Sequence, residues 1–153
     1  MRSVVLALVL AGCAPAPRVA SELGTVPAGS ARVCVVRPEE AASHVTMKLR
    51  DNGRLVGATR GRTYACWLAA PGAHQITSDA DDTGPTLLRV EAGARYFLHL
   101  EVSELGGAAH AHLDVVDERA AEELVDACDA RVLVSVPGHD DATGAMPIAP
   151  ARL

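Results

Sequence analysis

The chain has 153 residues, the size of one domain, and its 49% apolar and 22% charged residues are typical of a globular protein with a single core. Acidic residues outnumber basic ones by 19 to 14, and the basic residues are scattered singly. This charge pattern lacks the basic patch of a nucleic-acid-binding protein, so nucleic acid is excluded as an expected partner.

The first residues have the pattern of an export signal. Arg2 precedes an apolar run over residues 4–10 that is too short to span a bilayer, and small residues follow. The next stretch resembles the bacterial lipobox, in which the signal is removed before a cysteine that receives acyl chains: Leu10, Ala11, Gly12 and Cys13. We therefore expect residues 1–12 to be a signal peptide. An ordinary secreted protein with a chance cysteine at the cleavage site is the alternative.

Acylation of Cys13 predicts a lasting membrane anchor, because each buried acyl methylene contributes about 0.8 kcal/mol. Ala14, rather than Asp, follows the cysteine, which resembles lipoproteins sent on to the outer membrane. The predicted location is the cell envelope, with the chain lipid-anchored at the outer membrane and facing the periplasm. Residues 13–30 combine this cysteine with an Ala, Pro and Gly-rich stretch, which predicts a flexible tether.

Short β-forming runs, separated by turn residues, predict a mainly β fold, an antiparallel β-sandwich over residues 31–136. The run from Arg32 to Arg37 is typical of an interior strand. Further strands are expected near residues 45–50, 55–57, 64–69, 73–78, 86–90, 96–102 and 109–115. The stretch from Gly61 to Ser78 holds the only Trp, Trp67, and predicts a central hairpin with its turn at Pro71-Gly72.

The C-terminal part predicts one short helix and one last strand. Asp117 is expected to cap a helix from residue 118 to about 128, with Ala121, Leu124 and Cys128 or Val125 on its buried side. Residues 131–136 predict a strand in which three residues face the same way: Val132, Val134 and Val136. Residues 137–153 are rich in Pro, Gly and Ala, which predicts a disordered tail.

Several motifs together resemble a bacterial lipoprotein family, called domain of unknown function 2846. The resemblance covers about residues 31–124, and its most specific pieces are Pro71-Gly72-Ala73-His74, Ala92-Gly93-Ala94-Arg95-Tyr96 and Val116-Asp117-Glu118. The family's turn usually reads Pro-Gly-Glu-His, so Ala73 is a departure, whereas Tyr96-Phe97 keeps the usual aromatic pair. The resemblance implies an immunoglobulin-like or prealbumin-like sandwich on an envelope lipoprotein and implies no activity.

Three cysteines remain after Cys13, and export would place them in an oxidising compartment. Cys34 and Cys66 both fall in the middle of predicted strands, whereas Cys128 follows the helix. A Cys34–Cys66 disulfide is therefore favoured, with Cys66–Cys128 as the second alternative and a fully reduced set as the third. No Cys-x-x-Cys occurs, so a redox catalyst is not expected.

One polar cluster could carry chemistry. If the strands at residues 96–102 and 109–115 form a hairpin with Val102 opposite Ala109, then His99 faces His112 and Glu101 faces His110. In the same register Leu98 faces Leu113, and Tyr96 faces Val115. Three imidazoles and a carboxylate on one solvent-exposed face could bind a transition metal such as zinc, copper or nickel. The alternative is a set of ordinary surface histidines whose charge changes near pH 6.5.

Other polar residues have simpler expected roles. His74 directly follows the Pro-Gly turn and is expected to be a turn or packing residue rather than a ligand. The loop with Asp79, Asp81 and Asp82 lacks the glycine and distal glutamate of a calcium-binding loop, so a solvated turn is favoured. His44 and His139 stand alone and receive no role.

The sequence thus predicts a non-catalytic binding or structural module that contacts an envelope protein or polymer. The alternative is a metal-binding or pH-sensing envelope protein that uses the histidine cluster. An enzyme is not expected, because the common hydrolase, metalloprotease and phosphate-binding signatures are absent. No cofactor is expected apart from the metal of this alternative.

Overall fold

The computed structural model of the protein describes residues 25–129 and 131–132. The predicted signal peptide, the lipobox, residues 13–24 of the predicted tether and residues 133–153 lie outside the described residues. The strand predicted over residues 131–136 is described only as Arg131–Val132.

The described residues form nine strands and one helix. One sheet contains β1 (Ala31–Arg37), β4 (Thr63–Ala69), β7 (Arg95–Leu105), β8 (Ala108–Val116) and β9 (Arg131–Val132), and its spatial order is β8-β7-β1-β4-β9. The other contains β2 (Met47–Asp51), β3 (Arg54–Thr59), β5 (Gly72–Ser78) and β6 (Thr86–Val90), in the order β3-β2-β5-β6. Helix α1 spans Glu118–Asp126. The predicted class, a mainly β sandwich with a short C-terminal helix, is confirmed.

Most strand pairs are antiparallel, but the five-stranded sheet is mixed. β1 pairs in parallel with β7, and β4 pairs in parallel with β9. All three pairs of the four-stranded sheet are antiparallel. A parallel pair needs a long connection between its two strands. Between β1 and β7 the chain passes through the four-stranded sheet, and between β4 and β9 it passes through that sheet and the helix.

The five-stranded sheet is buried on both faces at its centre. Its inner face packs against the four-stranded sheet, with a core that includes Val33, Val35, Leu49, Trp67, Ile76, Leu98 and Leu100. Its outer face packs against α1 in a second cluster that includes Cys34, Val36, Tyr64, Phe97, Ala121, Val125 and Cys128. The β-branched run of β1 therefore alternates between two buried environments, as expected of an interior strand.

Helix α1 begins where the sequence predicts it. The Asp117 carboxylate accepts a hydrogen bond from the backbone N–H of Ala120 at 2.8 Å, so Asp117 is the N-cap. Ala121 and Val125 are buried against the sheet, and Leu124 packs at the margin of the same cluster.

The favoured disulfide, Cys34–Cys66, is present. The two cysteines face each other across the antiparallel β1–β4 pair, with their Cα atoms 4.1 Å apart. The bond therefore joins neighbouring strands within one sheet, on the face that α1 covers. Cys128 is a buried free thiol, so the alternative Cys66–Cys128 pairing and the fully reduced set are both wrong.

The predicted hairpin at Pro71-Gly72 is wrong. β4 and β5 lie in different sheets, and Pro71-Gly72 is the crossover between them. β4 pairs with β1 and β9, and β5 pairs with β2 and β6, so the neighbours of each strand lie in its own sheet.

The predicted β7–β8 register is wrong by two residues. Both Gly106 and Gly107 adopt positive φ, at 60° and 82°, and form a two-residue turn that pairs Leu105 with Ala108. The strands thus extend into the segment that the sequence analysis assigned to a loop. Because the shift is an even number of residues, every side chain keeps its predicted face.

The disulfide yields a prediction about stability. Replacement of Cys34 and Cys66 by Ala removes a link between positions 32 residues apart, which should lower the free energy of unfolding by about 3 kcal/mol. Urea denaturation at fixed pH measures the change. Cys128→Ala is the matched control, because it removes a buried sulfur and leaves the bond intact, and its expected loss is only about 1 kcal/mol. Equal losses in the two variants would contradict the assignment.

Candidate functional site: the β7–β8 hairpin and its two loops

The N-terminal segment, residues 25–30, contacts one of the two ends of the sandwich. Residues 25–30 lead into β1 and contact the domain: the Ser30 carbonyl accepts from the Gly93 N–H at 2.7 Å, and the Thr25 carbonyl from Arg32 at 3.5 Å. These contacts hold the described part of the predicted tether beside the turn at residues 91–94. We call this the tether end.

The β7–β8 hairpin projects from the opposite end, which we call the far end. The last residue of β7 that pairs with β1 is His99, opposite Val36, yet β7 continues to Leu105. The six residues beyond this pair extend the hairpin by roughly 20 Å. Its tip carries Leu105, which is 73% exposed.

The loop at residues 79–84 braces the hairpin along β8. The Ala111 N–H donates to the Ala80 carbonyl at 2.8 Å, and the Asp82 N–H donates to the Ala111 carbonyl at 3.3 Å. His110 Nδ1 lies 2.6 Å from an Asp82 carboxylate oxygen, and His112 Nδ1 lies 3.2 Å from the Thr83 hydroxyl. This acidic loop is therefore not a freely solvated turn, because it covers part of the β8 edge.

The loop at residues 38–46 braces the hairpin from the β7 side. Glu39 Oε1 lies 2.5 Å from His99 Nε2, and His44 Nε2 lies 3.9 Å from Glu104 Oε2. The second oxygen of Glu39 is buried and has no hydrogen-bond partner among the described residues. His99 is therefore the one side chain shown to satisfy this carboxylate. His44, which received no role from the sequence, lies at this brace.

A buried arginine, Arg37, donates hydrogen bonds to the same loop. Arg37, the last residue of β1, has no exposed surface and donates to the carbonyls of Ala41, Ala42 and Val45 at 2.7 to 3.1 Å. Burial lowers the pKa of Arg37 from its ordinary value, and the charge of Glu39 opposes that change. No local pattern indicated this role, because Arg37 stands where a polar residue is expected at the end of a strand.

Acidic neighbours favour the protonated form of His99. The hydrogen bond that His99 donates to Glu39 raises the pKa of His99 above its ordinary 6.5, partial burial opposes this effect, and the charges of Glu39, Glu101 and Asp114 add to it. His99 is thus the histidine of this end whose charge depends most clearly on its contacts.

The structure places the four predicted metal ligands on one face but does not join them into one site. His99 lies opposite Asp114, Glu101 opposite His112, and Ser103 opposite His110. Each imidazole instead has its own carboxylate: Glu39 for His99, Asp82 for His110 and Asp114 for His112. Within residues 25–129, no three His, Cys, Asp or Glu side chains are arranged to hold a metal ion.

A second polar cluster lies buried toward the tether end. Asp51 Oδ1 lies 2.6 Å from His74 Nδ1, and Asp51 Oδ2 accepts from Trp67 Nε1 at 2.9 Å. His74 Nε2 lies 2.8 Å from the Ala70 carbonyl. The cluster joins β2, β4 and the start of β5, so it fixes the crossover at Pro71-Gly72. His74 is a packing residue, as the sequence predicts, but no local pattern indicated its partner Asp51.

The His74 ring has no nitrogen left for chemistry. One nitrogen faces a carboxylate and the other a carbonyl, and both of these groups accept hydrogen bonds, so the geometry favours the doubly protonated ring. Burial alone would lower the pKa of His74, but the hydrogen bonds to Asp51 and Ala70 and the charge of Asp51 outweigh it and raise the pKa above 6.5. The Asp51–His74 pair is therefore a structural ion pair rather than an acid–base dyad.

The free thiol of Cys128 is buried. Burial raises the pKa of Cys128 to about 12, with the charge of Glu39 adding to the effect. Its sulfur donates to the Leu124 carbonyl at 3.4 Å. Because the thiolate is the reactive species, Cys128 is unreactive in the folded protein.

Comparison of the chain with models of protein families, with curated proteins and with solved structures finds no match. The resemblance to the family of domain of unknown function 2846 stays a prediction from the motifs quoted above. In the described part of the chain, no helix has the length and apolar character needed to cross a bilayer.

The His74 ion pair predicts a pH-dependent stability. Because the folded-state pKa of His74 is raised, its contribution is fully present below its ordinary value of 6.5 and is lost as the pH rises through the raised value. The free energy of unfolding of the native chain relative to His74→Gln should be larger near pH 6 than near pH 8. Urea denaturation at both pH values measures it. Gln75→Ala, at an exposed side chain of the same strand that does not titrate, is the control and should show no pH-dependent difference. A pH-independent effect of His74→Gln would contradict the assignment.

Proposed function

We propose that this chain is a lipid-anchored envelope protein whose β-sandwich is a non-catalytic binding or structural module. In this proposal the far end, with the β7–β8 hairpin and its two loops, contacts an envelope protein or polymer. The lipobox over Leu10 to Cys13 and the export signal before it support the anchor and the location at the outer membrane. The Cys34–Cys66 disulfide supports export, because such bonds persist in oxidising compartments.

The proposal depends on one observation: the hairpin and the N-terminal segment lie at opposite ends of the sandwich. Residues 25–30 enter the domain beside the turn at residues 91–94. An anchor at Cys13 would therefore hold the tether end nearer the membrane. β7 begins at this end and extends over 11 residues, which spans roughly 35 Å, before it reaches the exposed Leu105. The chain therefore presents the hairpin away from its point of attachment, where a partner can reach it.

The character of the far end suits contact with a partner. The exposed apolar side chain of Leu105 lies at the tip of a hairpin that also carries the His44–Glu104 and His110–Asp82 pairs, and binding patches commonly combine an apolar centre with a polar rim. The two braced loops hold the hairpin in one position, which lowers the ordering cost of binding. Loops on a rigid sandwich are a frequent place for recognition.

A non-catalytic role agrees with how the buried polar groups are used. Arg37 holds a loop, and Asp51 and His74 hold the crossover between the sheets. The family resemblance adds support for an envelope lipoprotein and adds no activity.

A second candidate is pH sensing at the far end, which the pairing of its histidines favours. In the described part of the chain, the ion pairs between the hairpin and its two neighbouring loops each contain a histidine: His44–Glu104, His99–Glu39 and His110–Asp82. Glu101 and Asp114 also face His99. Loss of the charge of His99 would weaken its pair with Glu39 and loosen this side of the hairpin. Transition-metal binding by His99, Glu101, His110 and His112 has no such support, since each imidazole has a separate acid.

Position-specific photocrosslinking in cells tests the proposal. A photoreactive amino acid at Leu105 should capture a defined envelope component, whereas the same amino acid at Ala92, an exposed residue of the tether end, should not. Cys13→Ala should abolish capture by releasing the chain from the membrane. Equal capture at both positions, or capture only at Ala92, would contradict a far-end binding surface. For the second candidate, capture at Leu105 should differ between about pH 5.5 and about pH 7.5.

A further inference from the structure

The two ends of the sandwich carry opposite charge in the described part of the chain. Exposed or half-buried arginines lie at or next to the tether-end termini of their strands and of α1: Arg32, Arg54, Arg89, Arg95 and Arg119. They outnumber the acidic residues of that end that lie outside the Asp51–His74 pair: Glu91, Asp117 and Glu118. The hairpin and its two loops are acidic instead, with Glu39, Glu40, Asp79, Asp81, Asp82, Glu101 and Glu104.

Two of these arginines lie side by side. Arg32 of β1 lies opposite Arg95 of β7, and both precede by two positions a residue of the outer cluster, so they share the outer face. Burial lowers the pKa of Arg32 from its ordinary value, and the charge of Arg95 adds to this effect. Like charges at opposite positions repel each other, so an anion near both guanidinium groups would be stabilising.

The surroundings of Arg95 leave room for such an anion. An open cavity of about 560 Å³ is lined by Thr25, Val26, Gly93, Ala94, Arg95 and Glu118. Arg95 Nη1 lies 3.4 Å from Glu118 Oε1, whose side chain is exposed. A guanidinium has five N–H donors, so this ion pair is compatible with a further bond to a phosphate oxygen, which arginine binds in a bidentate manner.

Exposed apolar side chains lie at the same end. Leu68, which is 50% exposed, lies opposite Arg32 on the outer face of the sheet. Val115, which is 51% exposed, is the next-to-last residue of β8. Arginines beside apolar side chains suit a membrane interface, where the charged groups meet the headgroups and the apolar groups lie beneath them.

We propose that the tether end is a contact surface for an anionic lipid bilayer and that Arg32 and Arg95 bind headgroup phosphates there. The inference rests on the proposed lipid anchor, since residues 25–30 join this end to the predicted acylated cysteine. This position favours a bilayer over a soluble acidic protein as the partner. Anionic lipids attract basic residues and repel acidic ones, so the same charges would turn the hairpin away from the membrane.

Contact quenching on vesicles tests the proposal. A fluorophore at Ala92→Cys of the acylated chain reports contact with lipids that carry a headgroup quencher. The ratio of contacting to non-contacting chains should be at least about tenfold higher with about 30% phosphatidylglycerol in phosphatidylcholine than with phosphatidylcholine alone. About 0.5 M NaCl should remove most of this difference, because salt screens exposed charges. Equal quenching on the two kinds of vesicle would overturn the proposal.

Matched variants assign the contact to the arginine pair. Arg32→Gln with Arg95→Gln should lower the contact ratio on anionic vesicles about tenfold, whereas Arg32→Lys with Arg95→Lys should keep most of it. Lys48→Gln with Arg60→Gln removes the same charge toward the far end and should leave the ratio unchanged. Equal losses in the two Gln variants, or a loss in the Lys variant as large as in its Gln counterpart, would overturn the proposal.

Flotation of the same samples reads the anchor separately. A chain that does not float with the vesicles would contradict the proposed anchor and this inference with it. A chain that floats but shows equal quenching on both kinds of vesicle would contradict this inference alone. Capture of lipid at Ala92 is expected here and differs from capture of the protein or polymer that is proposed to bind the hairpin.

Discussion

The double-sided burial of β1 is the constraint on which the rest of the structure depends. Ala31–Arg37 lies at the centre of the five-stranded sheet, and all of its residues except Arg32 are buried. A strand buried on both faces needs a layer on each side. The four-stranded sheet supplies one layer and α1 the other, and the Cys34–Cys66 bond ties β1 to β4 beneath the helix.

The same strand orients the molecule. Its first residue follows the segment held beside the turn at residues 91–94, and its last residue, Arg37, is buried under the loop that braces the hairpin. Each end is thus closed by its own polar cluster, with Asp51 and His74 toward the tether end and Arg37 and Glu39 at the far end. If Cys13 is acylated as we propose, the sandwich between these clusters would set the position of the hairpin relative to the membrane.

Sequence patterns predicted the strands, their faces and the pairing of β7 with β8, but neither the register of that pair nor the placement of β4 and β5 in different sheets. The alternation of apolar and polar residues has a period of two, so it predicts which face a side chain lies on. It cannot detect the two-residue error in the β7–β8 register, because an even shift leaves every face unchanged. It also cannot show whether Pro71-Gly72 turns within a sheet or crosses between sheets, since both need a bend. The Asp51–His74 pair joins residues 23 positions apart, which no local pattern encodes. The histidines at the hairpin were identified correctly as one face, but the carboxylate partners of His99 and His110 come from two distant loops.

The most direct test of the account is the height of the hairpin above the membrane. A fluorophore at Leu105→Cys or Ala92→Cys of the acylated chain can transfer energy to acceptor lipids in vesicles, and Cys128, with a pKa of about 12, would not compete for the label. The account predicts much weaker transfer from position 105, which should lie roughly 30 Å farther from the bilayer than position 92. Equal transfer from both positions, or stronger transfer from position 105, would contradict it.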